Sequence, residues 1–382
     1  MRICFDLTSL EDNLSGIERY AACISLEMIK SYFEEYILVF KKEIHPMFAS
    51  VCKQDNVQYI LLPECNKLLF LQIRLPFALR KICADWFIFL AFPVPLLSFK
   101  RNMVETIHDI TAWDYPRTMK NMMSWYFKIS HLVALKKCKA IVTISEFSKK
   151  RIIDRLKYSK KKIWLIYCGI NNQQFIVNKE KFHSVKKKYH LPDKYLLSLS
   201  TLEPRKNLPL LIHAYEELIK DNKQVIPLVL AGRKGWKMEE LLSSIDDSVK
   251  EQIYFTGFID DEDLPEVYAL ADFFVFPSMY EGFGMPPLEA MACGTPTLSS
   301  DAASLPEVLG NAAVYFKSND MDQLKEKLIQ VSNMQRSEYD KLVILGLQQV
   351  KQFNWKIEAG NLYSHLKVLE KHNTVKESLT II

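Results

Sequence analysis

Two glutamates bracket a Gly- and Pro-rich segment in the stretch YEGFGMPPLEAMACGTP, Tyr280 to Pro296. Loops entering helices collect glycine, proline and acidic residues for ordinary reasons, because the helix start accommodates proline and its positive end favours carboxylates. The spacing of Glu281 and Glu289 asks for more. Pro286 and Pro287 suit a helical first turn, where a missing amide proton costs nothing. The amides of Leu288, Glu289 and Ala290 would then point outward, an end that attracts anions such as phosphate. Segment 282–285 would add further amides. Carboxylate repels phosphate, so the glutamates are expected to accept hydrogen bonds from hydroxyls instead. Hydroxyl-rich groups attached to phosphates are sugars.

Arg205 and Lys206, in EPRKN, supply positive charge. A guanidinium grips phosphate oxygens bidentately and an ammonium acts as a point charge. Adjacent basic residues on a loop are more often plain solvated surface, so their weight depends on where the fold puts them. Two loops earlier in the chain raise the same question. SGIERY follows the first apolar run and opens a helix at Gly16, where backbone could approach a ligand, though a plain helix cap reads equally well. His108 and Asp109 end VETIHDI, and a histidine there is more often a structural hydrogen-bonder than a ligand.

These residues need strands to hold them. Apolar runs alternate with amphipathic ones: RICFDL, a helix from Ile17 to Phe33, YILVF, VQYILL, a basic helix near Leu71 to Ile82, ADWFIFL, VETIHDI, a helix to Cys138, AIVTIS, another helix and KIWLIYC. Between Asn171 and Lys188 the pattern dissolves into lysine-rich sequence. It restarts with YLLSLS, PLVLAG, IYFTGFI, FFVFPS, PTLSS and AVYF. Such alternation predicts two α/β domains, each a doubly wound, Rossmann-like parallel sheet wrapped by helices. Ligands in such sheets bind outside the carboxyl ends of the strands. The expected division is residues 1–175, residues 176–360, and a last segment, 361–382, of helical spacing before a tail; FNWKIEAGNLYSHLKVLEK there resembles a closing helix that, in two-domain proteins of this kind, crosses back onto the first domain.

The chain has only 11 glycines in 382 residues, well under the usual share of about 7%. Gly232, Gly235, Gly257, Gly282, Gly284 and Gly294 fall in one part of the second half, and the first five lie at or after strand ends. A glycine there lets the backbone turn sharply or approach a ligand closely. Together with the EPRKN loop they suggest a nucleotide-sized crevice.

Composition, with 49% hydrophobic and 25% charged residues, is that of an ordinary globular protein. The eight cysteines show no CxxC pair or metal-ligand rhythm and read as reduced core residues. Trp86 to Phe99 is too short for a bilayer span and contains Pro93 and Pro95, so it is expected as a buried strand and a loop. MRICFDLTSL reads as a first strand rather than a signal peptide, giving a cytoplasmic expectation. Net charge is +5, with lysines bunched between Lys136 and Lys162 and between Lys179 and Lys188. Such clusters suit the inner face of an anionic membrane, and exposed helix faces equally well. No GxGxxG follows a strand and no Walker loop occurs, which argues against a dehydrogenase or a P-loop enzyme. No nucleic-acid partner is expected.

With these residues in view, the chain resembles the retaining glycosyltransferases of family 4, which have the two-Rossmann GT-B architecture, along nearly its whole length. The most specific part is E-x7-E, here Glu281 and Glu289 in EGFGMPPLE, supported by EPRKN, AGRKGW, the FTG strand and ADFFVFPS; SGIERY and HDIT match more loosely. The resemblance implies that Glu281, with the backbone of Phe283, Gly284 and Met285, contacts the donor sugar and that Glu289 binds the ribose, beside the Leu288 amide. Arg205 and Lys206 would neutralise the diphosphate, Gly16 would line the phosphate, His108 the transferred sugar, and Arg233 and Phe258 would frame the base. Many members have a Gly-Arg pair shortly before EPRK; Ser200 and Thr201 stand there in this chain, leaving Arg205 as the expected phosphate-binding arginine.

The implied reaction is hexose transfer from a nucleotide diphosphate sugar with retained anomeric configuration, with no bound metal and no cofactor beyond the donor. GDP-mannose leads among donors, because these motif forms look like mannosyl and rhamnosyl transferases of bacterial surface polysaccharides such as O-antigen or capsule. The acceptor would be a glycan or lipid-linked glycan. An alternative is a catalytically silent sugar-nucleotide-binding scaffold of the same fold, against which the intact set Glu281, Glu289, Arg205, Lys206 and His108 argues. An epimerase or phosphorylase of similar architecture is disfavoured by the E-x7-E pattern.

Overall fold

The computed structural model of the chain describes residues 1–66, 69–98, 100–159, 162–171, 174–200, 203–232, 245–246 and 249–380, with side chains up to residue 371. The chain divides into two compact units, one of Met1–Gly169 with Asn354–Ile382 and one of Ile170–Phe353. The break thus follows Gly169, a few residues ahead of the expected 175, and the return segment begins before the expected 361.

In the first unit seven strands form one parallel sheet: β1 (Arg2–Asp6), β2 (Glu35–Lys41), β3 (Val57–Leu62), β4 (Trp86–Phe89), β5 (Met103–Thr106), β6 (Ala140–Thr143) and β7 (Ile163–Leu165). Their order is β3-β2-β1-β4-β5-β6-β7. Both β2 and β4 pair in parallel with β1, so the winding reverses there. That reversal opens a crevice at the carboxyl ends of β1 and β4. Central strands such as WFIF and AIVT are buried at every position, as expected for a sheet covered on both faces.

The last helix, Trp355–Thr380, belongs to this unit. Leu362 and Leu366 are fully buried, in agreement with their helical spacing, and Tyr363 stacks on Tyr32 with ring centroids 3.8 Å apart. Glu34 fastens the helix by accepting hydrogen bonds from Tyr363 Oη and Lys367 Nζ, each at 2.6 Å, and it also pairs with the N-terminal ammonium. Gly169 has to be glycine, since a Cβ there would stand 2.4 Å from the Trp355 amide nitrogen.

The second unit carries six parallel strands, β8 (Leu196–Leu199), β9 (Leu228–Ala231), β10 (Ile253–Gly257), β11 (Phe273–Phe276), β12 (Thr297–Ser300) and β13 (Ala313–Phe316). The order is β10-β9-β8-β11-β12-β13. Here β8 lies between β9 and β11, so the loops leaving β8 and β11 emerge side by side at the reversal. Packing of the Leu208–Lys220 and Met321–Ser332 helices on one face builds a core around Leu211, Tyr215, Phe273, Leu298 and Leu324.

Candidate active site

The loop leaving β8 turns through a short 3-10 segment, Pro204–Lys206, and ends at Asn207, whose φ of 55° turns the chain into the Leu208–Lys220 helix. The loop leaving β11 runs through Ser278 to Gly284. These loops, 75 residues apart in sequence, exchange a buried ion pair: Lys206 Nζ donates to Glu281 Oε1 at 2.6 Å. Arg205 Nη1 donates to the other oxygen, Oε2, at 3.1 Å, while its Nε reaches Glu203 at 3.0 Å. Lys206 also lies over the Phe276 ring, 5.2 Å from its centroid.

Burial alone would raise the Glu281 carboxyl. Lys206 and Arg205 pull harder, and it sits below the ordinary carboxylate range. Burial brings the Lys206 ammonium down from its usual value, against the opposing pull of Glu281. The two groups thus meet as an ion pair with little exposure to solvent.

Three fully buried serines hold the loop in place. Ser278 Oγ lies 2.6 Å from Glu281 Oε1 and 3.1 Å from the Arg205 carbonyl. Ser300 Oγ donates to the Ser278 carbonyl at 2.5 Å, and Ser304 Oγ is within 3.0 Å of the Glu281 and Phe283 carbonyls. No sequence motif singled these serines out; their signal is position, at the ends of β11 and β12.

The helix start differs from expectation. It runs Met285–Ala292 with Gly284 as N-cap at φ 103°, and a Cβ at Gly284 would meet Leu305 Cδ2 at 2.6 Å. A helix that starts at Met285 takes the amides of Leu288, Glu289 and Ala290 into its own ladder. Those three are not the outward donors; Pro286 and Pro287 have no N–H, so the amides ahead of the ladder are those of Gly284 and Met285. The Phe283 ring is buried edge-to-face on Phe353, 5.3 Å between centroids, which leaves only its backbone for contact.

Glu289 lies one turn in from Met285 on the same helix face. It is buried, and Tyr268 Oη donates to its Oε2 at 3.0 Å. Tyr268 is itself pinned by Thr295, whose hydroxyl donates to the Tyr268 carbonyl at 2.6 Å.

At the same sheet edge Gly232 follows β9 and Gly257 ends β10. Gly232, at φ 141°, leaves no room for a side chain, since a Cβ would stand 2.0 Å from the Ser200 carbonyl oxygen. Its amide donates to the Gly257 carbonyl at 2.8 Å, drawing the ends of β8, β9 and β10 together. Ser200 Oγ is buried here without a hydrogen-bond partner. Phe258 follows β10 and is 42% exposed. Gly294, by contrast, takes φ 82° just past the C-terminus of the Met285–Ala292 helix, a helix-ending role. Arg233, Gly235 and Thr201 lie outside the described residues.

In the first unit β5 ends at Thr106, so His108 sits in the following loop. Its Nε2 is 2.8 Å from the Leu90 carbonyl at the end of β4, its ring meets Tyr20 edge-to-face, and Ser148 Oγ donates to its carbonyl. Burial brings the imidazole down to about 4, so it is neutral and Nε2 carries the proton. Through Nε2 the ring is hydrogen-bonded to the Leu90 carbonyl. Gly16 is the exposed first residue of the Gly16–Ser31 helix, with Ser15 as N-cap and the Ser15 amide donating to Glu18 at 2.8 Å. In the sequence Asp6, at the end of β1, marks only a break in the apolar N-terminal run. Burial pushes its carboxyl up to about 6 despite two hydrogen bonds from Thr8.

Among the described residues no three His, Cys, Asp or Glu side chains come together as a metal site, all eight cysteines are free, and no helix is long and apolar enough to cross a membrane.

Residues 14–174 match the family described as Glycosyltransferase Family 4, and residues 178–346 match Glycosyl transferases group 1. Over 255 residues the chain is 35% identical to the O-antigen chain mannosyltransferase B of Escherichia coli, a match covering 66% of each protein. Identity to the serotype-specific mannosyltransferase WbdA of Escherichia coli is 35% over 234 residues, 60% of this chain and 29% of that one. The chain thus spans just under two thirds of the first of these relatives and less than a third of the second. Among solved structures, Anabaena Alr3699/HepE in complex with UDP-glucose superposes with a TM-score of 0.71 at 14% identity, over 96% of this chain and all of that one. The likeness is one of fold, the GT-B pairing of two Rossmann-like units.

Proposed function

The chain belongs to the glycosyltransferases built from a family 4 domain and a group 1 domain, and we propose that it transfers mannose from GDP-mannose, with retention, to a glycan on a lipid carrier during O-antigen or capsule synthesis. The observation that carries the proposal is the buried Glu281–Lys206 pair, with the half-buried Arg205 on the same carboxylate, at the β8/β11 reversal, directly ahead of the Met285–Ala292 helix. The choice of sugar draws on the two mannosyltransferase relatives, and nucleotide-sugar use on the UDP-glucose complex of the structural neighbour.

In this reading the donor diphosphate sits against Arg205, Lys206 and the Gly284 and Met285 amides, where the helix dipole adds positive potential. Two fixed cations then supply the charge that a metal supplies elsewhere, so the reaction runs metal-independently. Glu281, shifting one oxygen from its cations to the sugar, accepts from a hexose hydroxyl, and Glu289 accepts from the ribose. Phe258 flanks the base. As the bond from the anomeric carbon to the diphosphate oxygen breaks, negative charge grows on the leaving group facing Lys206 and Arg205. Stabilising charge as it develops, in a site already dry, is the largest single source of rate in such reactions. The acceptor hydroxyl attacks from the departing face and its proton passes to the leaving phosphate oxygen. No covalent enzyme nucleophile is used.

The test is a panel of nucleotide sugars, first by thermal shift and then by transfer to a mannose-terminated glycan, with NMR of the product anomer. GDP-mannose should raise the melting temperature and give the α-linked product. An inverted product, or no transfer and no donor hydrolysis with any nucleotide sugar, would overturn the reading. The scaffold alternative predicts donor binding without turnover.

A further inference from the structure

The sheet of the first unit ends on β3, which pairs with β2 on one side; among the described residues no strand lies on its other side. The Tyr36 amide donates to the Asn56 carbonyl and the Lys42 amide to the Leu62 carbonyl. Main-chain groups alternate in direction along a strand, so the even-numbered residues from Asn56 to Leu62 face β2, and Val57, Tyr59 and Leu61 turn theirs outward. The Val57 amide is taken up in a turn by the Gln54 carbonyl. What remains at the edge are the Tyr59 and Leu61 amides and the Val57, Tyr59 and Leu61 carbonyls.

Natural sheets blunt such edges with short strands, bulges, proline or charge. The other sheet edges do so: β7 has three residues and β13 four, and the register of β10 shifts between Phe255 and Gly257. β3 uses none of these devices. It runs for six residues, VQYILL, in unbroken register from the Tyr36–Val57 pair to the Lys41–Leu62 pair, without proline, glycine or charge. Tyr59 is 47% and Leu61 42% exposed, both on the one face that alternate residues share. An edge of this kind is a template for another strand.

A second copy of the chain is the partner that fits. The outward residues are symmetric about Tyr59. Laid antiparallel across a two-fold axis, Tyr59 stands opposite Tyr59 of the other copy and exchanges both main-chain hydrogen bonds with it, and each Leu61 amide donates to the Val57 carbonyl of the other copy. The same register sets the two Tyr59 rings side by side and each Leu61 beside a Val57, which covers both exposed side chains. Net charge does not oppose the contact. The strand is neutral, and the charges at its ends, Lys53 with Asp55 before it and the Lys41–Glu64 ion pair after it, cancel at each end.

We propose that the protein associates as a two-fold dimer in which β3 of each copy pairs antiparallel with β3 of the other, joining their seven-stranded sheets into one. The pairing is independent of the transferase reading, since none of these residues belongs to the site at the β8/β11 reversal.

The experiment is sedimentation velocity of the full chain over a dilution series. The wild-type protein should form a dimer that dissociates on dilution. Tyr59→Lys and Tyr59→Glu each set like charges directly opposite one another, and each should be monomeric alone. Mixed in equal amounts, the two variants should associate again, because the ammonium of one then faces the carboxylate of the other. Leu61→Pro removes an outward amide while leaving the ladder to β2 in place; by symmetry two hydrogen bonds are lost, and the dimer dissociation constant should rise roughly tenfold or more. Melting curves verify that each variant is folded. A wild-type protein that stays monomeric at every concentration would overturn the proposal. So would a dimer that both charge variants retain, or a mixture of those variants that stays monomeric.

Discussion

Lys206 Nζ and Glu281 Oε1 meet at 2.6 Å in the interior of the second unit, each from a loop that leaves its own strand. Neither charge is stable there alone, because an unpaired ion in such surroundings pays a desolvation penalty of several kcal/mol. The pair therefore fixes the separation of the two loops as well as the charge available to a substrate.

Glu281→Gln or Lys206→Met should each destabilise the fold by about 3–5 kcal/mol, since each leaves a buried charge short of a partner, with Arg205 softening the loss in the lysine variant. The double variant should regain much of that stability, because no orphan ion remains, yet stay without transfer activity. Urea unfolding read beside a product assay separates the two effects. A double variant as unstable as the sum of the singles would show that the two residues do not act as a pair.

Tyr268→Phe removes the hydroxyl that holds Glu289 Oε2 at 3.0 Å and keeps the ring. If Glu289 binds the ribose, the donor KM should rise roughly three- to tenfold, the worth of one hydrogen bond to a charged group, with kcat nearly unchanged. Steady-state kinetics over donor concentration reads this directly. An equal fall in kcat with KM constant would place Glu289 in the chemical step instead.

Gly232→Ala puts a Cβ 2.0 Å from the Ser200 carbonyl at a backbone φ of 141°. Strain and overlap together should cost roughly 2–4 kcal/mol and separate the ends of β8 and β9. Calorimetry and donor titration should both register it. A variant with wild-type melting temperature and wild-type donor affinity would mean that this edge does not frame the donor.

Glu34 governs the acid stability of the C-terminal helix. Burial raises its carboxyl, but Lys367, the N-terminal ammonium and Tyr363 together lower it from the ordinary 4.5 to about 2. A carboxyl depressed in the folded state contributes fully above its unfolded value and loses that contribution as pH falls. Docking of Trp355 onward should therefore weaken between pH 4.5 and about 2, and Glu34→Gln should weaken it at neutral pH. Hydrogen exchange in residues 355–371, compared at pH 7 and pH 3.5, would record it; equal protection at both values would contradict the assignment.

The thirteen strands of the described residues could be read from the sequence, most of them because a strand covered on both faces is a continuous apolar run and needs no partner to declare itself. FFVF and PLVLAG are examples. The glycine at position 232 and the E-x7-E and EPRKN segments were legible for a related reason: each is a local requirement of a strand end or a helix start. The remainder depended on neighbours distant in the chain. Strand order places β8 beside β11, and only that order brings Lys206 to Glu281 across 75 residues. The Leu90 carbonyl, eighteen residues before His108, fixes its ring, and Tyr268 reaches Glu289 from another helix. Likewise Met122, Trp125, Ile129 and Leu132 on the Asn121–Lys137 helix have the spacing of a core face yet stand exposed, since periodicity states that a face is apolar but not what it meets. Local pattern determined which elements form and where they turn; packing alone decided which charges become partners and which apolar face was left to solvent, because burial and pairing are properties of juxtaposed surfaces rather than of any segment.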